Sequence, residues 1–345
     1  LSGHVQGVGF RPFVYRLAQR HGVTGRVQNQ LGQVEIIAVA RPDSLQRFEH
    51  ELISGAPPLS RPTIETVESV DGVAFDRFEI AASSGQTDAR IFVPHDYFMC
   101  DDCREELHDP DDRRFRYPFI NCTQCGPRYT LIESLPYDRP NTSMAGFPLC
   151  DACNREYLDP ADRRFHAEPV ACPACGPQLA FRDGENSTTL LAGAALSAAL
   201  ERLRDGHIVA VKGVGGYHLM CDARDRHAVD VLRQRKHRPS KPLAVMFPLR
   251  GADGLGGIRD YADVSDEEAA LLSSPGRPIV LTTRKARSDL ADNIASGLDE
   301  IGAFLPYSPL HHLLLEEFAA PLVATSANIS GEPVLTENAD VEDRL

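Results

Sequence analysis

The sequence predicts an α+β multidomain chain of three segments, and three observations support that prediction. Eight of the nine cysteines lie between Cys100 and Cys175. Before them, helix-like and strand-like runs alternate in the order β-α-β-β-α-β; after them, buried strand-like runs alternate with helices over a longer stretch. We therefore expect a first domain over residues 1–84, a cysteine domain over residues 95–185 and an α/β domain over residues 188–345.

The composition argues against a nucleic-acid-binding or membrane-bound protein. The 345 residues carry a net charge of -13, which argues against binding of nucleic acid or a membrane surface through bulk charge. No apolar run reaches the roughly 18 residues that a transmembrane helix needs. Thiols suited to a metal, together with the lack of a recognisable secretory segment, predict a cytoplasmic protein.

The first segment opens on a glycine-rich loop, Gln6-Gly7-Val8-Gly9-Phe10, followed by Arg11. Such a loop before a helix turns its backbone N–H groups toward an anion, and an arginine adds a bidentate clamp for phosphate. The same glycines also fit an ordinary strand-to-helix turn. Further periodicity predicts helices over residues 13–21 and 43–54 and strands over residues 23–29, 34–40 and 63–80.

The loop and a second motif resemble the acylphosphatase family. The matching residues are Gly3-x-Val5-Gln6-Gly7-Val8-Gly9-Phe10-Arg11 and Gly25-x-Val27-x-Asn29. The resemblance implies a ferredoxin-like sandwich in which Arg11 binds phosphate and Asn29 orients the attacking water, so that electrostatic stabilisation lowers the barrier. Because the motif begins almost at Leu1, the first strand is expected to be largely missing.

The cysteine segment is a tandem repeat. Residues 100–127 recur, 50 positions later and without a gap, as residues 150–177, and each copy reads C-x2-C-x18-C-x2-C. That spacing is typical of four thiolates on one tetrahedral zinc, with no open position for catalysis. We expect two structural zinc sites from Cys100, Cys103, Cys122, Cys125, Cys150, Cys153, Cys172 and Cys175.

Several features of this segment stay open. The knuckles pair either sequentially or in a nested arrangement, and disulfides or Cys-x-x-Cys redox centres fit the doubled spacing less well. Gly126 and Gly176, after the second pair of each copy, are expected at positive φ. The arginine pairs within residues 109–115 and 159–165 are expected on a solvated or internally paired face. A small, polar linker is predicted over residues 83–89.

The third segment carries a basic run from Arg233 to Lys241 and, near its end, the motif at residues 324–331. Concentrated cations in an acidic protein favour a polyphosphate site, although a solvated helix end or an RNA patch fits the same run. Cys221 is expected to be buried and inert. Periodicity predicts helices over residues 194–205 and 225–236 and strands over residues 207–212, 243–247 and 278–282.

Two motifs here resemble the YrdC/Sua5 nucleotide-binding fold: Lys236-x-Arg238 with Lys241-Pro242-Leu243, and Ser326-x-Asn328. That family makes carbamoyl- or carbonyl-adenylates from ATP. The resemblance implies that Lys236, Arg238, Lys241, Ser326 and Asn328 bind ATP and the acyl group, and that Lys212 with the glycines after it lines the same cavity. Magnesium is expected with the nucleotide.

The order of the three segments, with the phrases at residues 212–218, 235–243 and 305–312, resembles the HypF-type carbamoyltransferase family of nickel–iron hydrogenase maturation. The resemblance implies that carbamoyl phosphate is hydrolysed at Arg11 and Asn29. Carbamate then passes along an enclosed path to be adenylated with ATP, and a further domain, which this sequence is expected to lack, transfers the carbamoyl group to the terminal cysteine of HypE. Alternatives are an RNA-binding or tRNA-modifying YrdC/Sua5-type protein and a chaperone-like zinc module.

Overall fold

The computed structural model describes residues 1–30, 33–57, 59–70, 72–81, 95–135, 137–184, 188–328 and 331–345. The chain forms two compact units, one from residues 1–105 and 120–176 and the other from residues 106–119 and 177–345. Most of the cysteine segment thus belongs to the same unit as the first segment, and the three-domain boundaries stay a prediction. The linker predicted over residues 83–89 lies outside the described residues.

The first segment follows the predicted order β-α-β-β-α-β except that the last predicted strand is replaced by two short ones, which gives β-α-β-β-α-β-β. Strand β2 is central in a three-stranded sheet, antiparallel to β3 and parallel to β5, while β1 and β4 form a separate antiparallel pair. Up to residue 176 the helices and strands are β1 Ser2–His4, α1 Phe10–His21, β2 Thr24–Gln30, β3 Gln33–Val39, α2 Pro42–Ser54, β4 Arg61–Thr63, β5 Phe78–Ala81, α3 Asp101–His108 and α4 Asp151–Leu158.

The continuous strand predicted over residues 63–80 is wrong. The structure has strand only at β4 and β5, and the described residues between them are not extended into a ladder. The valines that made this stretch appear strand-like, Val67 and Val70, are 71% and 61% exposed, so no core draws them into a sheet.

Strand β2 extends from the hydrophobic core of the first unit to the predicted catalytic residue Asn29. Its residues alternate between buried and half-buried, and Gly25, Val27 and Asn29 share the buried face. Val27 packs in a core with Phe10 and Phe78. The last polar residue of this face, Asn29, therefore lies at the end of a strand whose position the core fixes.

The second unit contains a mixed sheet of seven described strands in the order β11-β12-β13-β10-β14-β9-β8. Only β10 and β13 pair in parallel; the other neighbours are antiparallel. From residue 177 onward the elements are β6 Ala180–Phe181, β7 Leu190–Leu191, α5 Ala192–Arg204, β8 Val209–Gly213, β9 Gly216–Asp222, α6 Arg226–Arg235, β10 Ala244–Met246, α7 Gly256–Arg259, β11 Ala262–Asp263, α8 Asp266–Leu272, β12 Val280–Arg284, β13 Glu300–Phe304, α9 Pro309–Phe318, β14 Leu322–Ser326 and α10 Asn338–Arg344.

All five elements predicted for this unit are present within a few residues of their expected bounds. Strand β9 was not predicted, because the glycines before it were interpreted as a cavity loop; they form the turn of the β8–β9 hairpin, with Gly215 at φ 83° and Gly216 at φ 146°. Cys221 lies in β9 with no exposed surface, and burial raises its pKa to about 12, which supports the inert role.

Gly25→Ala is expected to destabilise the first unit strongly. Gly25 has φ 143°, and a Cβ there would lie 1.9 Å from the carbonyl oxygen of Ile37 on β3. We expect a loss of about 3 kcal/mol or more in the free energy of unfolding, from strain plus overpacking. The control Gly22→Ala, at φ 63° with no atom within 4 Å of the new Cβ, should cost only about 1 kcal/mol. Urea titrations followed by circular dichroism measure both, and equal losses would contradict the described β2–β3 packing.

Candidate functional site

The glycine-rich loop leads directly into the first helix, as predicted. Helix α1 begins at Phe10, after Gly7 at φ 67° and Gly9 at φ 73°. The side chain of Gln6 donates to the carbonyl oxygens of Gln30 at 3.0 Å and Gln33 at 3.3 Å, which ties the loop to the last residue of β2 and the first residue of β3. Val8 is fully buried beneath it. Two left-handed glycines and a helix N-terminus thus form a loop of the type that binds phosphate.

Arg11 and Asn29, the two predicted catalytic residues, lie side by side. Arg11 is 9% exposed and Asn29 is 2% exposed. In the amide orientation that satisfies both groups, Asn29 Oδ1 accepts from Arg11 Nε at 3.1 Å and from Nη2 at 3.2 Å. The end of β2 and the first turn of α1 therefore present a fixed guanidinium and an amide to the loop.

Two carboxylates from the cysteine segment also approach Arg11. Arg11 Nη2 lies 3.6 Å from Asp138 Oδ1 and 3.8 Å from Glu168 Oε1. The sequence analysis missed both, since each is more than 100 positions away along the chain. The signal for Glu168 was a break in the repeat: it stands where the first copy has Pro118.

Glu168 is held rigidly and is almost fully buried. Its Oε2 accepts from the backbone N–H of Arg139 at 2.8 Å and from the Tyr157 hydroxyl at 3.0 Å. Burial raises the pKa of Glu168, and the neighbouring Arg11 guanidinium opposes that rise. One carboxylate oxygen is thus saturated by donors, while the other faces Arg11.

A small cavity of about 20 Å³ lies at this point of the first unit. The loop contributes Gly7, Gly9 and Arg11 to its lining, and the cysteine segment contributes Tyr137, His166 and Glu168. The buried Tyr137 hydroxyl has no hydrogen-bond partner among the described residues. Burial and the charge of Arg11 lower the pKa of His166 to about 4, so its imidazole is neutral at physiological pH.

Arg128 joins the phosphate loop to the first cysteine knuckle. It is 1% exposed, and its Nε donates to the Gly7 carbonyl oxygen at 2.6 Å. Its Nη2 donates to the Cys122 carbonyl oxygen at 2.9 Å, and its Nη1 donates to those of Cys125 at 2.9 Å and Pro127 at 3.0 Å. The conformation of the loop therefore depends on the conformation of the knuckle.

The eight cysteines form two groups suited to a metal ion, which settles the pairing as sequential: Cys100, Cys103, Cys122 and Cys125 in one group, and Cys150, Cys153, Cys172 and Cys175 in the other. Neighbouring Sγ atoms within each group lie 3.5–3.8 Å apart. Four sulfurs at about 2.3 Å from a tetrahedral zinc would lie about 3.8 Å apart, so these thiols fit that ion. Gly126 has the expected positive φ of 93°, but Gly176 does not.

One arginine of each pair is internal, whereas Arg113 of the first pair is exposed, so both of the expected arrangements, solvated and internally paired, occur. Arg114 and Arg164 are 1% and 3% exposed. Arg164 Nε donates to the Asn121 carbonyl oxygen at 3.1 Å, and both terminal nitrogens of Arg163 lie 3.3 Å from Cys103 Sγ. Positive donors beside a sulfur stabilise its thiolate form, which is the form that binds a metal.

In the second unit the structure brings Lys236, Ser326 and Asn328 together. Lys236 caps the end of α6, is 5% exposed, and donates from Nζ to the Ser326 carbonyl oxygen at 2.5 Å, the Asn328 carbonyl oxygen at 2.9 Å and Asn328 Oδ1 at 2.7 Å. Ser326 Oγ donates to Asn328 Oδ1 at 2.7 Å. The end of α6 and the end of β14 thus place an ammonium, a hydroxyl and an amide together.

The other predicted nucleotide-site residues differ in their placement. Arg238 Nη1 lies 3.4 Å from Thr325 Oγ1, beside the group, and Lys241 is exposed. Burial, with Arg238 and Lys241 adding repulsion, lowers the pKa of Lys236 to about 8. Lys212 instead donates to Asn338 Oδ1 at 3.0 Å, whereas Lys236 donates to Ser326 and Asn328.

The basic run as a whole is not a solvated face. Arg233 is 7% exposed, and it donates to the carbonyl oxygens of Asn293 at 2.7 Å and Ile294 at 2.9 Å. This arginine supports the loop after α6 and is not available to a ligand, whereas Arg235 and Lys241 of the same run are exposed.

Family models match three consecutive parts of the chain. The acylphosphatase model matches residues 1–80, the HypF finger model matches residues 99–132 and 149–181, and the Sua5/YciO/YrdC model, described as telomere recombination, matches residues 201–345. The chain is therefore a fusion of an acylphosphatase-type sandwich, a doubled cysteine finger and a Sua5/YrdC-type α/β region.

Relatives share the whole of this arrangement. The carbamoyltransferase HypF of Synechocystis sp. is 49% identical over all of this chain, which covers 44% of that protein. A crystal structure of full-length HypF, described as phosphate- and nucleotide-bound, matches 99% of this chain and 44% of its own, with 42% identity and a TM-score of 0.91. The acylphosphatase of Staphylococcus haemolyticus is 41% identical over 69 residues, which are 20% of this chain and 78% of that protein.

The chain belongs to the HypF carbamoyltransferase family. It spans less than half the length of the curated HypF relatives it matches, 44% of the Synechocystis protein. Among the described residues, none of the helices combines the length and the apolar character that crossing a membrane would require.

Arg128→Met is expected to destabilise the first unit by about 3 kcal/mol or more, because four buried carbonyl oxygens lose their donors. Phosphate binding to the loop should weaken as well, since Gly7 loses its anchor. The control Arg20→Met removes a 64% exposed arginine paired with Glu51, and should cost under about 0.5 kcal/mol. Urea denaturation and phosphate titration calorimetry provide the two readouts; if both variants behave alike, the loop does not depend on the knuckle.

Proposed function

We propose that this chain hydrolyses carbamoyl phosphate at the Arg11–Asn29 site and forms carbamoyl-adenylate from the released carbamate and ATP at the Lys236 site. In the first step, water attacks phosphorus and carbamate leaves, giving inorganic phosphate. In the second, a carbamate oxygen attacks the α-phosphorus of ATP and pyrophosphate leaves. The observation that carries the proposal is the 3.1 Å contact between Arg11 and Asn29 beside a two-glycine loop at a helix N-terminus.

The first site can stabilise a phosphoryl transition state without a covalent intermediate. Loop N–H groups and the Arg11 guanidinium offer donors to the phosphoryl oxygens, where negative charge is concentrated in the transition state. If Asn29 Oδ1 is held by Arg11, its Nδ2 is left to orient the attacking water. The related HypF structure described as phosphate- and nucleotide-bound supports both a phosphate site and a nucleotide site in this family.

The second site is proposed to bind ATP and the acyl group through Lys236, Arg238, Lys241, Ser326 and Asn328. Its ammonium and guanidinium groups would neutralise phosphate oxygens, and its hydroxyl and amide would fix the acyl group. Magnesium would accompany the nucleotide as its usual counter-ion. Lys212 is retained in this proposal as a residue of the cavity, although it is bound to Asn338 in this structure.

The wider assignments rest on the family. We propose that zinc fills both four-cysteine groups and holds the knuckles in place. The carbamoyl group would pass from the adenylate to the terminal cysteine thiol of a HypE-type protein, with loss of AMP, in the cytoplasm. That transfer requires the rest of a HypF protein, of which this chain spans less than half.

Pyrophosphate release from ATP is expected to depend on carbamoyl phosphate and on both sites. Arg11→Ala and Lys236→Ala should each lower the rate about 100-fold or more, as removal of a single electrostatic group does in comparable sites. The controls Arg20→Ala and Lys285→Ala remove exposed cations of the same two units and should leave the rate unchanged. A wild-type rate in Arg11→Ala, with folded and metal-loaded protein, would overturn the two-site sequence.

ATP binding should weaken as pH rises through about 8, because the lowered pKa of Lys236 means that its ammonium loses its proton there. We expect the affinity to fall about tenfold, or ~1.4 kcal/mol, between pH 7 and pH 9.5. Lys236→Met should bind ATP weakly across this range with a flatter profile. The free energy of unfolding is expected to change in the opposite direction. The Lys236 ammonium keeps its proton to a higher pH in the unfolded chain than in the folded chain, so the folded state should become more stable as pH rises above about 8. Calorimetric titration tests the binding, and identical pH profiles for the two proteins would exclude Lys236 as the titrating group.

A further inference from the structure

We infer that Glu168, from the second cysteine copy, selects the acyl group of the substrate: its Oε1 accepts a hydrogen bond from the amide N–H of carbamoyl phosphate. The inference rests on the proposed hydrolysis at Arg11 and goes beyond it, since phosphate binding alone would not distinguish one acyl phosphate from another.

The geometry of Glu168 leaves one oxygen available to a ligand. Oε2 already accepts two donors, the Arg139 N–H at 2.8 Å and the Tyr157 hydroxyl at 3.0 Å. Oε1 lies 3.8 Å from Arg11 Nη2, which is beyond hydrogen-bond distance, and the side chain is 3% exposed. A buried carboxylate oxygen without a donor is costly, and a substrate N–H would satisfy it.

The cavity also contains a second polar group without a partner. The hydroxyl of Tyr137 lines the same space as Arg11 and Glu168, is buried, and has no hydrogen-bond partner among the described residues. A carbamoyl group has an N–H donor and a carbonyl oxygen acceptor on the same carbon. The free acceptor of Glu168 and the free donor of Tyr137 match these two groups, whereas a bare phosphate needs neither.

The charges fit this division of roles. Arg11 and the loop N–H groups bind the phosphoryl oxygens, so a carboxylate that faced the phosphate would oppose binding. Glu168 is tied by Oε2 to the cysteine segment, and in the proposed complex its Oε1 contacts the uncharged amide of the ligand and not the phosphate. Acetyl phosphate has a methyl group of similar size there, which would leave Oε1 unpaired.

The substitution Glu168→Gln tests the inference sharply. The Arg139 N–H and the Tyr157 hydroxyl both require an acceptor, so the glutamine carbonyl would take the position of Oε2 and its NH₂ would take that of Oε1. The cavity then presents a donor in place of an acceptor. The variant also removes a negative charge near Arg11, which affects every acyl phosphate alike, so the ratio of kcat/KM for carbamoyl phosphate to that for acetyl phosphate isolates the amide contact.

We expect Glu168→Gln to lower that ratio about tenfold or more. Asp138→Asn, the charge-matched control, removes the carboxylate 3.6 Å from Arg11 and should leave the ratio within about twofold. An unchanged ratio in Glu168→Gln, with carbamoyl phosphate hydrolysis that still requires Arg11, overturns the inference alone. If wild type does not hydrolyse carbamoyl phosphate, or Arg11→Ala hydrolyses it normally, the proposed function fails and the inference with it.

Tyr137→Phe provides a second test that does not depend on how Glu168→Gln folds. It removes a hydroxyl without a partner and should not impair folding. We expect kcat/KM to fall about tenfold for both acyl phosphates, because both have a carbonyl oxygen, while inhibition by inorganic phosphate stays the same. If Tyr137→Phe leaves kcat/KM unchanged for both, the acyl group does not occupy this cavity and the inference is overturned.

Discussion

The site at Arg11 and Asn29 depends on the hydrogen bonds of the buried Arg128 guanidinium. One side chain binds the Gly7 carbonyl of the phosphate loop and three carbonyls of the first cysteine knuckle. Five N–H donors in a planar fork can satisfy that many acceptors at once, which a lysine cannot. The loop is also packed against the knuckle at Gly9, where a Cβ would lie 3.1 Å from Thr123. The first four-cysteine group and the glycine-rich loop are thus mechanically coupled.

The cysteine segment closes over the glycine-rich loop of the first segment, since both line one cavity. That closure supplies Glu168, Tyr137 and the neutral His166, and it dries the surroundings of Arg11. Electrostatic interactions are stronger in such a low-dielectric space. Under the inference that Glu168 selects the acyl group, the cysteine segment would contribute to substrate choice as well as to stability.

Short sequence motifs predicted the site residues that lie on neighbouring elements of one core. The two glycines, Arg11 and Asn29 were found from a motif, and the structure places them together because β2 and α1 share one core. Lys236, Ser326 and Asn328 were found in the same way. Glu168 and Arg128 were missed, because their roles arise from contacts with residues over 100 positions away, and Val67 with Val70 misled the strand prediction because alternation does not reveal exposure.

The two cysteine copies are no longer interchangeable. Arg163 of the second copy contacts a sulfur of the first group, and Glu168 has replaced the proline that the first copy retains. A chimaera made of two first copies would preserve all eight thiols and an arginine at each equivalent place, yet it would lack the carboxylate beside Arg11. Under the inference that Glu168 selects the acyl group, the second copy therefore has a role at the substrate that the first copy does not share.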